Sequence, residues 1–453
     1  MAIATQLTNE NHDVIVVENS RGVIRQHEDT LDIMFYYGNG ATLGVLRDIE
    51  VGNADLLIAV TPRDELNMVC CTIAKKLGCR GTIARVRNPE YLEQLHFMRE
   101  ELGLTMTVNP EWASAREIFG LLQYPAFLQR DSFPGARVEI VELDVREDSP
   151  WVGHSLSELG RRIKQRMLVC AVMRDGEVCI PDGNYILLAG DKVTVTAATP
   201  HLPEVVRMMG LKSRSARDVM IVGGSPIAQY LAQILLRSNT RVKIIERNQE
   251  RCRQLAEKLP GATIICNDGA DQTVLREERM EQMDAVVTLT DMDEENLLIS
   301  MYAKYLGVGQ IITKINRTEY NDVFRAHGVA ESIISPKNLC AQMIVSYVRA
   351  VQNTGGSAVK SIHYLLDGGA EAFEFEVTAS TRNLNIPLSQ LKLRQSTLIA
   401  SVNHLGRTII PGGADVLCEG DTVIIISTPD RIIMDLNDIF ADSDEVWSES
   451  SVV

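Results

Sequence analysis

The sequence predicts an α/β protein made by tandem duplication. Each copy is a Rossmann-like doubly wound parallel sheet followed by a small α+β module. Two observations carry this reading. The first is an internal repeat. Val14–Glu18 matches Val242–Glu246, and Thr61-x-x-Asp64-Glu65-x-Asn67 matches Thr290-x-x-Asp293-Glu294-x-Asn296. Ala74–Gly78 matches Ala303–Gly307, and Gly190-Asp191 matches Gly420-Asp421. The offset for Thr61 is 290 − 61 = 229, and the other pairs stay within one residue of it. A register held across most of the chain marks one unit written twice. The second observation is a change of pattern within each copy. Short apolar runs alternate with helical spacing, then give way to apolar–polar alternation.

In the second copy, Asp218–Val222 is an apolar run ending in Gly223-Gly224, and Pro226–Leu236 has helical spacing. Val242–Ile245, Ala262–Cys266, Ala285–Leu289 and Gln310–Ile315 supply further runs, apolar on both faces, as buried parallel strands are. The small modules open on Val138–Val145 and Phe373–Ala379. Each continues with a Leu-rich helical segment (Leu156–Leu159, Leu388–Leu391) and strands at Leu168–Met173 and Leu398–Asn403. Turns at Asp175-Gly176 and Leu405-Gly406 follow. The expected domains are 1–127 and 217–352, both Rossmann-like, and 137–212 and 358–440, both small. An acidic tail at 441–453 completes the chain. The linkers fall at Gln129–Ala136, Ser213–Ala216 and Asn353–Ser357, the middle one a candidate hinge between two rigid halves.

The first copy is incomplete. Aligning Glu18 with Glu246 sets Met1 opposite Gln229, so counterparts of Asp218–Ala228 are missing. The first Rossmann-like domain is therefore expected to lack its first strand and Gly-rich turn, as from a misplaced start or a truncation.

Composition narrows the function. The 453 residues are 45% hydrophobic and 23% charged, an ordinary soluble composition. The net charge of −15 argues against tracking along nucleic acid. No apolar run approaches the ~20 residues of a spanning helix, and no secretory signal opens the chain. The nine cysteines include no CxxC pair and read as free, mostly buried thiols of a reducing cytosol.

The strongest constellation is Val222-Gly223-Gly224-Ser225-Pro226-Ile227-Ala228, between a strand and a helix. Gly223 allows the tight turn, Gly224 follows it, and Ser225 stands where a second fingerprint glycine would admit a pyrophosphate. Ala228 is small enough for helix and strand to pack. Glu246, 23 residues after Gly223, is placed to bind ribose hydroxyls and to repel a 2′-phosphate, with Arg247 beside it. Ser225 is expected to crowd the phosphate. Thr61 and Thr290, each with an acid three residues on, read chiefly as helix capping boxes lying where a ligand crevice would form. Asp268 and its counterpart Asn39 suit either a polar turn or contact with adenine or ribose. Arg85 and Lys314 end strands, where they either reach phosphate or are solvated. Glu18 is the counterpart of Glu246. No nucleophile elbow, Walker A loop or His-Glu-x-x-His occurs, so no catalytic residue and no metal ligand is assigned. Asp182, Asp191 and Asp421 read as turn-shaping residues.

A Rossmann-like sheet with Glu246, the Thr290–Asn296 pattern, Ala303–Gly307 and a small Gly-Asp module resembles the RCK unit, the regulator of potassium conductance. The resemblance spans about residues 1–437 in two tandem units. It implies a fold of that type and binding of NAD(H), with ATP or ADP as further candidates. It also implies a homo-oligomeric ring, a tetramer, docked on a membrane-embedded potassium-translocating subunit at the inner face of the cell membrane. On it Gly223, Ser225, Glu246, Asp268 and Thr290, with Glu18, Asn39 and Thr61, are the matching nucleotide positions. The implied role is gating and not catalysis. Competing expectations are an NAD-dependent oxidoreductase with duplicated domains and a Ca²⁺-regulated module.

Overall fold

A computed structural model describes residues 1–28, 33–91, 98–124, 127–132, 138–162, 167–211, 215–317, 332–352, 359–429, 433 and 435–441. The tail from 442 onward and the linker stretches 133–137, 212–214 and 353–358 lie outside the described residues. Two compact units cut across the sequence halves. One joins Met1–Phe119 with Arg217–Val345, and the other joins Gly120–Ala216 with Ser346–Val453. Rossmann-like domain groups with Rossmann-like domain, and small module with small module. The compact units therefore do not follow the sequence halves, and the chain passes from one unit to the other at Ala216–Arg217.

In the first unit, the first copy contributes β1 (Ile15–Glu18), β2 (Met34–Tyr37), β3 (Leu56–Ala59), β4 (Gly81–Arg85) and β5 (Met106–Val108). They form two separate parallel sheets, β1-β2 and β3-β4-β5. Among the described residues no strand bridges them, as the missing repeat segment predicts. The price appears in the burial. No residue of β1 is buried, and among the described residues β2 is its one strand neighbour.

The two small modules form the other unit. Its first sheet comprises β6 (Gln129–Ser132), β7 (Val138–Asp144), β8 (Met167–Arg174), β9 (Glu177–Cys179) and β10 (Lys192–Ala198) in the order β6-β7-β10-β8-β9.

The second copy completes the pattern in the first unit. β11 (Asp218–Val222), β12 (Arg241–Glu246), β13 (Thr263–Cys266), β14 (Ala285–Thr288), β15 (Gln310–Lys314) and β16 (Ser332–Ile334) make one parallel sheet. Its order is β13-β12-β11-β14-β15-β16. The chain moves outward from β11 to β13, then crosses back to β14. That reversal opens a crevice beyond the C-terminal ends of β11 and β14. Val219, Met220, Ile221 and Val222 are fully buried, as the central strand requires.

The second small module repeats the first with β17 (Val359–Leu365), β18 (Ala370–Glu376), β19 (Thr397–His404), β20 (Arg407–Ile409) and β21 (Thr422–Ser427), in the order β17-β18-β21-β19-β20. The outer strands β6 and β17 do not stand out in the sequence. The predicted helix at Leu156 is present as Leu156–Arg162. Its counterpart is a single 3₁₀ turn, Leu388–Gln390. There the chain is drawn into extended backbone by Leu393, which bridges to Phe440. The modules share a core of Ile140, Cys170 and Ala171 with Ala370, Ala372, Ile424 and Ile426. The Leu366 N–H donates to Glu142 Oε1 at 2.5 Å. Among the described residues no helix is long and apolar enough to cross a membrane.

The Thr-x-x-Asp-Glu-x-Asn pattern is not a capping box. The helix Asp293–Tyr305 has Met292 at its N-cap, with no side-chain cap. Asn296 is fully buried and reaches back instead. Its Oδ1 accepts the Thr290 N–H at 2.9 Å, and its Nδ2 donates to the carbonyls of Thr290 and Lys314, both at 3.1 Å. Asp293 accepts the N–H groups of Asn316 and Arg317, each at 2.9 Å from Oδ2. One helix turn thus ties the ends of β14 and β15 together. The first copy repeats this: Asn67 holds Thr61 N–H and the carbonyls of Thr61 and Arg85, and Asp64 holds Arg87 and Asn88 N–H. A backbone that ends two strands leaves groups needing partners, and these two side chains supply them.

Within the same unit the two Rossmann-like domains meet at Tyr230. Its hydroxyl accepts from Asn109 Nδ2 at 3.0 Å and donates to the Arg87 carbonyl at 3.4 Å. Its ring meets Trp112 edge-on, centroids 5.3 Å apart. Burial pushes the phenol up to about 12, so it stays a neutral donor.

Replacing Asn296 or Asn67 by Ala should destabilise by roughly 2–4 kcal/mol, because buried strand-end groups lose their partners. Urea denaturation of both variants measures this, and equal losses are expected from the two copies. Tyr230→Phe should cost about 1–3 kcal/mol by orphaning the Asn109 amide. Tyr230→Ala should cost about 3–5 kcal/mol, which thermal unfolding would resolve.

Candidate functional site

The crevice of the second copy is built by five successive strand ends. In spatial order they present Asp268 after β13, Glu246 on β12, Gly223-Gly224 after β11, Thr290 after β14 and Lys314 on β15. The sequence-selected residues of this copy therefore converge on one edge of one sheet.

Gly223 has a φ of 101°, and a Cβ there would lie 2.7 Å from the Leu289 and Thr290 backbone. Only glycine lets the turn pass against the end of β14. Gly224 is constrained from the other side. A Cβ on it would lie 2.8 Å from Glu246 Oε2 and 2.8 Å from Leu255 Cδ1. Glu246 closes the turn: its Oε2 accepts the Gly224 N–H at 2.6 Å, and its Oε1 accepts the Asn248 N–H at 2.7 Å. Each carboxylate oxygen keeps a further acceptor position for a ligand hydroxyl.

Ser225 is the N-cap of the helix Pro226–Arg237, and its Oγ accepts the Ala228 N–H at 3.3 Å. It folds onto the helix instead of standing over the turn. The conflict with a phosphate is thus competition for one helix-start amide, milder than the crowding expected. Ala228 is fully buried, so its size matters for packing. Arg247 is exposed. Asp268 is exposed and makes a local turn, its Oδ1 accepting the Ala270 N–H at 2.9 Å. Thr290 is half-buried; its Oγ1 donates to the Met292 carbonyl at 3.2 Å. Lys314 is buried, and desolvation pushes its pKa down, with Asp291 the nearest opposing charge.

Sequence reasoning missed Arg251. Its Nε donates to the Gly224 carbonyl at 2.7 Å and its Nη2 to Gln229 Oε1 at 3.1 Å. Burial pushes its pKa below the usual arginine value. It lies in the first turn of the helix Gln249–Lys258. A cation at a helix start is electrostatically unfavourable, and that misfit was the available signal.

The first copy holds a partial version. Glu18 Oε1 accepts the Ser20 N–H at 2.8 Å, as Glu246 does with Asn248. Asn39 Oδ1 accepts the Ala41 N–H at 3.0 Å, as Asp268 does with Ala270. Thr61 donates from Oγ1 to Asn67 Oδ1 at 2.7 Å. Arg85 is half-buried and donates from Nη2 to the Thr61 carbonyl at 3.0 Å; burial lowers its pKa. Arg85 is thus anchored on the Thr61 carbonyl while part of it stays exposed. No described residue takes the place of Gly223-Gly224 beside Glu18.

The nine cysteines are all unpaired, and six are buried.

Two family models match the chain. The TrkA-N domain matches residues 1–110 and 219–336, and the TrkA-C domain matches residues 140–210 and 372–440. The chain is 31% identical over 424 residues to Trk system potassium uptake protein TrkA homolog 2 of Methanosarcina mazei, covering 92% of each chain. It is 32% identical over 422 residues to the TrkA homolog of Archaeoglobus fulgidus, covering 93% of each. Among solved structures it resembles the GsuK RCK domain, with a TM-score of 0.62 and 18% identity over 95% of this chain and 90% of that one. The GsuK channel bound to NAD gives a TM-score of 0.61 at 19% identity, over 95% of this chain and 75% of that one. Those identities establish the fold, a tandem RCK arrangement. The chain belongs to the TrkA family of Trk-system potassium uptake proteins, a transport family and not a family of enzymes.

Proposed function

We propose that the chain is the cytosolic, nucleotide-responsive gating subunit of a potassium uptake system, docked on a membrane-embedded potassium-translocating subunit at the inner face of the cell membrane. The observation that carries this reading is the Gly223-Gly224 turn closed on Glu246. Two glycines leave a cradle that any Cβ would fill, next to a helix start and a carboxylate. These residues fit NAD(H). Gly223, Gly224 and the N–H groups of Ser225, Ile227 and Ala228 would face the pyrophosphate. Glu246 would accept ribose hydroxyls, while Arg247 and Asp268 flank the adenosine half and Thr290 the opposite wall. ATP or ADP would use the same adenosine contacts. The Glu246 charge disfavours a 2′-phosphate. Glu18, Asn39, Thr61 and Arg85 form the weaker counterpart site, which lacks the glycine turn.

Membership of a potassium uptake family, together with the likeness to a channel described as NAD-bound, supports this over the oxidoreductase reading. Assembly into a homo-oligomeric ring, a tetramer, is supported by an exposed apolar stripe on the helix Asp293–Tyr305. Leu298, Met301 and Tyr305 are 67%, 50% and 78% exposed, and such stripes mark interaction surfaces. Gating requires nucleotide to bind one arrangement more tightly than another.

Calorimetric titration tests the site. NAD(H) should bind the second copy, and Glu246→Ala should weaken it about 10- to 100-fold. Gly224→Ala should do the same by displacing the Glu246 carboxylate, and NADPH should bind more weakly than NADH. No hydride should leave NADH on prolonged incubation. Unchanged affinity in Glu246→Ala would remove the site assignment, and potassium uptake that ignores the substitution would remove the gating role.

A further inference from the structure

We propose that the second small module carries a transition-metal site of the zinc type, made by His404, Cys418 and Asp421. It is independent of the nucleotide reading. His404 ends β19, Asp421 immediately precedes β21, and Cys418 lies in the loop between β20 and β21. One ligand atom from each residue lies within 4.8 Å of the other two. The Nδ1 of His404 is 2.6 Å from Asp421 Oδ1.

The duplication supplies an internal comparison. At an offset of 230, His404 corresponds to Arg174, Cys418 to Leu188 and Asp421 to Asp191. In the first module Arg174 grips Asp191 with two bonds, Nε to Oδ1 at 2.7 Å and Nη2 to Oδ2 at 2.8 Å. That is a complete pair, a carboxylate matched by a planar guanidinium. The carboxylate is equally buried in both modules, with side-chain exposures of 1% and 2%. Its surroundings are the same, since Leu188 N–H and Cys418 N–H each donate to Oδ2 at 2.8 Å. Only the partners change. A permanent cation and an inert Leu give way to an imidazole and a thiol, both metal ligands.

The donor set selects the ion. Imidazole, thiolate and carboxylate suit Zn²⁺ and its neighbours, whereas Ca²⁺ and Mg²⁺ take oxygen ligands. Three protein ligands leave a fourth position, open to water because the His404 side chain is 52% exposed. The outer support is in place. The Cys418 N–H holds Asp421 Oδ2, so a metal would take Oδ1 by replacing its present bond with His404 Nδ1, and Asn385 Oδ1 accepts from the Cys418 thiol at 3.5 Å. On binding, the metal displaces the thiol proton of Cys418 to solvent. The His404 ring keeps its remaining proton on Nε2. The cation then stands where the Arg174 guanidinium stands in the first module, and the cross-link becomes conditional on metal.

The test is titration of the full-length protein, stripped with chelator, with Co²⁺ as a spectroscopic stand-in for Zn²⁺. The expected result is a thiolate-to-metal charge-transfer band that saturates, and a melting temperature raised by Zn²⁺ and not by Ca²⁺. The double variant His404→Arg/Cys418→Leu installs the pair that the first module already folds with. It should lose one equivalent of bound metal and the Zn²⁺-dependent shift. Cys418→Ser, the smaller change, should weaken Co²⁺ binding at least ~10-fold. Metal stoichiometry unchanged in the double variant, or no charge-transfer band in the parent protein, would overturn the proposal.

Discussion

The structure depends most on a buried side-chain amide. Asn296 and Asn67 each hold the N–H and carbonyl of one strand end and the carbonyl of the next. A parallel sheet must stop somewhere, and where it stops its backbone loses ladder partners. If those groups faced protein without partners, each would cost about 1–3 kcal/mol. A short amide on the following helix meets three of them at once, while the neighbouring Asp meets two more N–H groups from the loop. The ends of β14 and β15 therefore finish level, and the helix starts at a fixed place. The crevice is bounded by this arrangement, since Thr290 forms its wall and Gly223 packs on the Leu289–Thr290 backbone.

Much of this was legible in the sequence because repetition and glycine are local signals. The 229-residue register marked two copies, and Gly223, Glu246 and the buried runs marked a doubly wound parallel sheet, though not its strand order. The Thr-x-x-Asp spacing was misread because a capping box and a strand-end clamp share the same spacing. They differ only in which backbone the side chain reaches, and Lys314 is 18 residues from Asn296. Arg251 was missed for a related reason: its partner Gly224 lies 27 residues away. The grouping of like domains was hidden as well. It rests on pairs such as Tyr230 with Asn109, 121 residues apart, and Leu366 with Glu142, 224 apart. No window along the chain contains such pairs.

The two copies keep the same clamp but not the same crevice. In the second copy Glu246 is held by two backbone amides, and one of them comes from the Gly-rich turn. In the first copy Glu18 has the matching Ser20 contact, while the strand and turn that would bring the other amide have no counterpart among the described residues. An acid fixed at one point is free to rotate about it. The preorganisation that a ribose contact would need on the proposed function is therefore fuller in the second copy than in the first.

On the proposed function, the same divergence would give a duplicated chain a graded response. Two identical sites would bind ligand together and differ only in statistics. Two sites with different preorganisation would fill at different concentrations, so one nucleotide level would leave a single crevice occupied. A nucleotide in that crevice would lie where Gly223 packs on the end of β14, which the Asn296 clamp ties to β15. The two Rossmann-like domains are joined at Tyr230, which sits on the helix that begins at the glycine turn. A ligand at the start of that helix would thus meet the same element that touches the other copy. On the proposed function, binding energy would have a short physical route between the duplicated domains, through one helix and one buried hydroxyl.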